Sequence, residues 1–222
     1  MLNPDRTLQC RLIVFDMDGV LVNSIDVMKM AFSAALRECC SDLQLHDCER
    51  LFSIYRQHLG KGFLQIMTEL GLPETLHEPF KKHSRYLAPY VAVYPGVEAL
   101  LHSLKEQGIR LTVATGKDGS RARELLERLQ LAEYFDEVTG SDQAAPKPAP
   151  DVINFHRAKF DVARQETLMV GDSPVDLLCA RSAGVHSAAA LWGYSNYHVL
   201  ESCLPDYFFS APYSMTEKIQ GY

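Results

Sequence analysis

Long apolar runs are missing from this 222-residue chain, and none of its stretches approaches the ~20 residues that cross a bilayer, so no membrane contact is expected. Residues 1–11 also lack the apolar middle of a secretory signal peptide, and the expected location is the cytoplasm. A basic excess is missing too. The 22 Lys and Arg stand against 28 Asp and Glu, giving a formal charge of −6 with no basic tail, which argues against nucleic acid as the main partner. None of the six cysteines (Cys10, Cys39, Cys40, Cys48, Cys179, Cys203) belongs to a CxxC pair, and adjacent Cys39 and Cys40 cannot easily bond each other. Reduced, mostly buried thiols are expected. Internal repeats and low-complexity segments are likewise absent. What is present is ordinary for a soluble globular protein: 47% hydrophobic and 23% charged residues, at a length that suits one large domain or a domain carrying an insertion.

Residues 11–16 read as a fully buried strand, because Leu12, Ile13, Val14 and Phe15 run apolar without alternation. From Ser24 the period turns helical, with Val27, Met28, Ala31, Phe32, Ala35 and Leu36 on one side. Helices are expected at 47–59, stopped by Gly60, at 63–70, stopped by Gly71, and at about 74–89. After Tyr94-Pro95-Gly96 helix alternates with strand: helices at 97–107, 120–129, 150–160 and 175–183, strands at 109–114, 137–139, 167–170 and 185–191. A weaker strand at 207–209 and a short helix finish the chain. Such alternation marks a parallel sheet covered by helices on both faces. The expected fold is therefore α/β: a doubly wound, Rossmann-like core (1–22 and 94–222) with an all-helical cap (23–93) inserted after the first strand. An insertion there hangs over the carboxyl ends of the strands, where ligands bind in such sheets, and would act as a lid.

Three strand ends carry polar residues that a core does not ask for. The first bears Asp16 and Asp18, followed by Gly19; the second Thr115-Gly116-Lys117; the third Gly171-Asp172-Ser173-Pro174-Val175-Asp176. Parallel neighbours bring these ends into one crevice. Four carboxylates there repel one another unless a cation sits among them, and hard oxygen ligands select Mg²⁺ rather than zinc. Carboxylates, a hydroxyl and lysines around Mg²⁺ are what phosphoryl transfer needs. Lys147 stands in Ala145-Pro146-Lys147-Pro148-Ala149-Pro150, where prolines stiffen the loop that aims it.

Asp16-Met17-Asp18-Gly19, Thr115, Lys147-Pro148 and Gly171-Asp172 with Asp176 resemble, in order and spacing, the four motifs of the haloacid dehalogenase-like (HAD) hydrolases, and the resemblance runs from Ile13 to about Gly193. The helical block is similar to the small cap of the subgroup containing phosphoglycolate phosphatase and β-phosphoglucomutase. Trp192-Gly193-Tyr194 resembles the phosphoglycolate phosphatase branch. Tyr55-Arg56-Gln57-His58-Leu59-Gly60, Ala114-Thr115-Gly116-Lys117 and Ala190-Leu191-Trp192-Gly193 also resemble phosphatases associated with 3-amino-5-hydroxybenzoate (AHBA) synthesis.

The resemblance implies that Asp16 is a nucleophile forming an aspartyl-phosphate and that Asp18 is the acid for the leaving alcohol, then the base for water. It implies Mg²⁺ on the Asp16 carboxylate, the Asp18 backbone carbonyl and Asp172, with Asp176 behind them. It also implies phosphoryl oxygens on Thr115 and the Gly116 amide, with Lys147 neutralising them. Lys117 reads equally as a phosphate contact and as solvated surface. Arg56, His58 and Lys61 are candidate contacts for a substrate carboxylate or sugar, although cations near a helix end also suit its dipole. The acid at Asp18 favours phosphate esters over halides. Val20 and Asn23 depart from the usual Thr and Asp. The expected activity is Mg²⁺-dependent hydrolysis of a small metabolite's phosphate monoester by a monomer or weak dimer; the alternatives are a phosphosugar mutase and a non-catalytic interaction protein of the same fold.

Overall fold

The structure is a computed structural model that describes residues 7–40 and 44–221; residues 1–6 of the first core segment and 41–43 of the cap segment lie outside the described residues. Strand β1 (Leu8–Gln9) precedes β2 (Leu12–Phe15), and after β3 (Val22–Asn23) the chain turns helical. Helices α1 (Ile25–Cys39), α2 (Leu45–Arg56), α3 (Phe63–Leu70) and α4 (His77–Leu87) follow before the return through β4 (Ala92–Val93). Then come α5 (Val97–Glu106), β5 (Arg110–Ala114), α6 (Gly119–Arg128), β6 (Glu137–Thr139), α7 (Asp151–Phe160), β7 (Thr167–Gly171), α8 (Pro174–Ala183) and β8 (His186–Ala190). The chain closes with α9 (Tyr197–Glu201), β9 (Tyr207–Phe209), α10 (Tyr213–Thr216) and β10 (Ile219–Gln220).

Six strands form one parallel sheet in the order β6-β5-β2-β7-β8-β9. The chain winds from β2 to one edge, then from β7 to the other, so the direction reverses between β2 and β7. That reversal opens a crevice at the carboxyl ends of the two strands, and Asp16 and Asp172 are the residues that follow them. Both faces of β2 are covered because successive side chains alternate. Ile13 and Phe15 join one cluster with Val97, Leu101 and Leu126, whereas Leu12 and Val14 join another with Ile153 and Ala180. All four side chains are buried, each contributing about 1.5–3 kcal/mol.

The four cap helices bury a cluster of their own. Ala31, Phe32 and Leu36 of α1 meet Phe52 and Tyr55 of α2, Ile66 and Met67 of α3 and Phe80 of α4. Aromatic rings lock it, with Phe32 stacked on Tyr55 at 4.8 Å and Phe63 on Phe80 at 4.3 Å. The cap joins the core through the antiparallel pairing of Val22 with Val93 and Asn23 with Ala92.

Several boundaries differ from the sequence reading for identifiable reasons. α2 begins at Leu45 rather than residue 47 because Gln44 and Asp47 form a reciprocal capping box, and it ends at Arg56, so that residues 57–62 form a loop. The expected helix at 74–89 is three pieces: a tight turn at Glu74–Leu76, then α4, then a second tight turn at Ala88–Tyr90. All six cysteines are free, but Cys10, Cys48 and Cys179 alone are buried; Cys39 is exposed on the last turn of α1, which corrects the expectation of mostly buried thiols. No described helix is long and apolar enough to cross a membrane.

Candidate active site

The buried end of β2 places Asp16 beside Lys147, whose ammonium donates to Asp16 Oδ1 at 2.7 Å, to Asp176 Oδ1 at 2.5 Å and to the Ala114 carbonyl at 3.0 Å. Lys147 is only 4% exposed, so these three acceptors replace its water. Asp176 is fixed in turn at the start of α8, where its Oδ2 accepts from the Ser173 amide at 3.2 Å and from the Ser173 hydroxyl. Asp172 accepts from the Tyr194 amide at 2.7 Å. A Cβ at Gly19, whose φ is +90°, would lie 2.1 Å from Asp172 Oδ2, so only glycine lets the turn after Asp18 come this close.

Asp16, Asp172 and Asp176 each offer a carboxylate oxygen within 4.8 Å of the others. Three carboxylates and one ammonium leave two negative charges uncompensated in a buried space. Burial raises Asp16 to about 7, with Asp176 and Asp18 pushing the same way against Lys147. Burial also raises Asp172 well above the usual range, followed by repulsion from Asp16 and Asp176. Oxygen donors with that charge deficit fit a hard divalent cation.

Asp18 stands outside this group. Its Oδ1 accepts from the Ser24 hydroxyl and its Oδ2 pairs with Lys117 at 3.0 Å. Burial opposes the ionised form, yet Lys117's charge and the Ser24 hydrogen bond outweigh it and hold the carboxyl below its ordinary value. The structure thus gathers the three carboxylates expected around a metal, Asp16, Asp172 and Asp176, while the Asp18 side chain, expected to lend only its backbone carbonyl, bonds Ser24 and Lys117 instead. Thr115 is buried at the end of β5, with its hydroxyl accepting from the Lys117 amide at 3.2 Å.

Over these groups the cap loop closes a pocket. Asp16, Asp18, Thr115, Gly116 and Lys117 form its floor, and Tyr55, Lys61 and Phe80 stand opposite. A Cβ at Gly116 would lie 2.3 Å from the Lys61 carbonyl, so the loop rests on bare backbone. The three cap cations are placed unequally. Lys61 lines both this pocket and the cleft outside it and is bonded to Glu69 at 2.6 and 2.9 Å. His58 shares Glu69 at 2.8 Å, and Arg56 donates to the Tyr194 carbonyl at 3.2 Å; both line an outer cleft beside Asp172 and Ser173.

Sequence reasoning passed over Ser24, the Tyr194 amide, Tyr55 and Arg121. Arg121 lines the pocket and is 7% exposed. Its signal was available in the register of α6, one turn before Leu125 on the apolar face, but a lone arginine at a helix start reads as solvated surface.

The family described as haloacid dehalogenase-like hydrolase matches residues 13–190. A protein of Caldanaerobacter subterraneus provisionally named pyrophosphatase PpaX is 36% identical over 94% of this chain and 94% of its own length. The phosphoglycolate phosphatase of Rhodospirillum rubrum is 34% identical over 82% of this chain and 80% of its own. A crystal structure of a predicted phosphatase from Clostridium acetobutylicum shares the fold, with a TM-score of 0.82 at 24% identity over 95% of this chain and 98% of that one.

Proposed function

Because this chain belongs to the haloacid dehalogenase-like hydrolases and is a phosphatase, we propose that it hydrolyses phosphate monoesters of small metabolites through an aspartyl-phosphate on Asp16, with Mg²⁺ as cofactor. One observation carries this reading: two carboxylates two residues apart lie in different surroundings, Asp16 in the buried acidic group with Lys147 and Asp18 facing the pocket beside Lys117. Such a division suits two roles.

Asp16 and Asp172 would hold Mg²⁺, with Asp176 behind them and the Asp18 carbonyl beside them. The bound ion supplies positive charge for the phosphoryl oxygens and favours the ionised form of Asp16. Asp16 then attacks phosphorus, and the bond to the leaving oxygen breaks. Lys147, already on Asp16, neutralises a phosphoryl oxygen; Thr115 and the Gly116 amide receive others. Phosphoryl oxygens that draw Lys117 off Asp18 favour a protonated Asp18, whose proton passes to the leaving alkoxide. Asp18 then accepts a proton from the water that attacks the aspartyl-phosphate, releasing inorganic phosphate and restoring Asp16. The cap loop over Gly116 keeps bulk water out meanwhile.

Short hydroxy-acid phosphates, sugar phosphates and aminosugar phosphates are the substrates to try, the first because the named relatives include phosphoglycolate phosphatases. Phosphate release from a panel of such esters should require Mg²⁺ and disappear in Asp16→Asn. Turnover retained in that variant overturns the mechanism.

A further inference from the structure

We infer that Arg121 is the specificity-determining residue of this phosphatase, receiving a second anionic group, carboxylate or phosphoryl, on the leaving part of the substrate. The inference rests on the phosphatase reading and adds what the leaving group must look like. Arg121 sits in the first turn of α6 and lines two adjoining hollows: the pocket over Asp16 and Asp18, and a cleft bounded by Val27, Met28 and Arg85 of the cap and Glu124 of α6. Met28 and Lys117, the partner of Asp18, also line both, so that Lys117 and Arg121 are the two cations common to them. A substrate whose phosphoryl group lies on the floor extends past these two cations.

The guanidinium is prepared for such a ligand. It is buried, and burial disfavours its charge. Its carboxylate partner, Asp118, lies 3.6 Å away, an ion pair too long to be a hydrogen bond, and Asp118 Oδ2 has no hydrogen-bond partner among the described residues. The same carboxylate also faces His77 of α4, whose Nε2 lies 3.4 Å from its other oxygen, Oδ1. The fork of N–H donors is therefore not spent on Asp118. The Phe80 ring, with its centroid 5.4 Å from the guanidinium carbon, holds the plane in place. Other pocket cations are more tightly engaged, Lys61 by Glu69 and Lys117 by Asp18. A planar, immobilised guanidinium with open donors recognises an anion in bidentate fashion.

The test is steady-state kinetics with three substrates, 2-phosphoglycolate, inorganic pyrophosphate and p-nitrophenyl phosphate, on wild type, Arg121→Gln and Arg121→Lys. Wild type should prefer phosphoglycolate or pyrophosphate over the aryl ester, and which of them wins separates a carboxylate from a phosphoryl ligand. In Arg121→Gln, kcat/KM for the preferred substrate should fall by about 10- to 100-fold, mostly through KM, with the aryl ester changed by less than about threefold. Arg121→Lys should recover part of the loss. Equal losses on all three substrates would make Arg121 a structural strut between α6 and Phe80 and overturn the inference, as would a wild type that prefers the aryl ester, which carries no second anionic group. Absence of phosphate release from every substrate, the aryl ester included, would instead contradict the phosphatase reading.

Discussion

The two halves of the crevice hold their charges differently. On the core side Lys147 is buried and spends its donors on three fixed acceptors, while Asp176 is tied to Ser173 and Asp172 to a backbone amide. On the cap side Lys61 and His58 share one carboxylate, Glu69, and all three side chains keep between 22% and 32% of their surface in water. Groups that act on phosphorus must hold their geometry within fractions of an ångström, and burial with several partners supplies that. Groups that meet different leaving parts gain from a looser hold. On the proposed function, this difference assigns reaction type to the core and substrate choice to the seam where cap meets core.

The strongest break of this contrast is Lys147→Met. Removing the ammonium leaves Asp16 and Asp176 buried and uncompensated, so turnover should fall by about 10²–10³-fold and stability by about 3–5 kcal/mol, read by phosphate release and urea unfolding. Asp18→Asn should lower kcat by about 10²–10⁴-fold for alkyl phosphates. Its loss on p-nitrophenyl phosphate should be much smaller, because that leaving group departs without a proton. The core also holds a histidine it keeps neutral: His156 is wholly buried, with Nε2 on Thr139 Oγ1 at 2.9 Å, and burial lowers it to about 4. The unfolded chain binds a proton there near pH 6.5 and the folded one does not, so stability is retained above that pH and lost as pH falls toward 4. The loss should be on the order of 3 kcal/mol, visible as a fall in Tm that His156→Gln flattens. The smallest effect is expected on the cap side: Lys61→Ala should change kcat/KM by less than about tenfold, because an exposed pair contributes little.

Much of the fold was legible beforehand. β6, β9 and α3 lie where period and propensity put them, and the apolar run of β2 announced a strand covered on both faces. Two pairings were not legible. β1 lies beside β10, and β3 beside β4, in ribbons whose strands are two residues long and whose partners are distant in sequence. So short a strand carries no period, and its partner is chosen by the fold around it. The same reason hid part of the site. Asp16, Lys147 and Asp172 stand at strand ends and loops where charge is conspicuous, whereas Arg121 lies under Phe80, a ring from a distant segment that the local sequence does not announce. The candidates Arg56, His58 and Lys61 differ in place for a similar reason: the loop at residues 57–62 descends onto Gly116 and brings Lys61 to the pocket as well as to the outer cleft, whereas the other two line the outer cleft.

On the proposed mechanism Asp16 carries the phosphoryl group between substrate and water. Its most direct measurement is acid quench of the enzyme during turnover, with Mg²⁺ and a good substrate, followed by mass spectrometry of its peptides. A transient phosphoryl adduct on the peptide containing Asp16, formed and lost at rates compatible with kcat and absent in Asp16→Asn, is the predicted result. Full turnover with no carboxylate ever phosphorylated, or with the adduct on another residue, would contradict it.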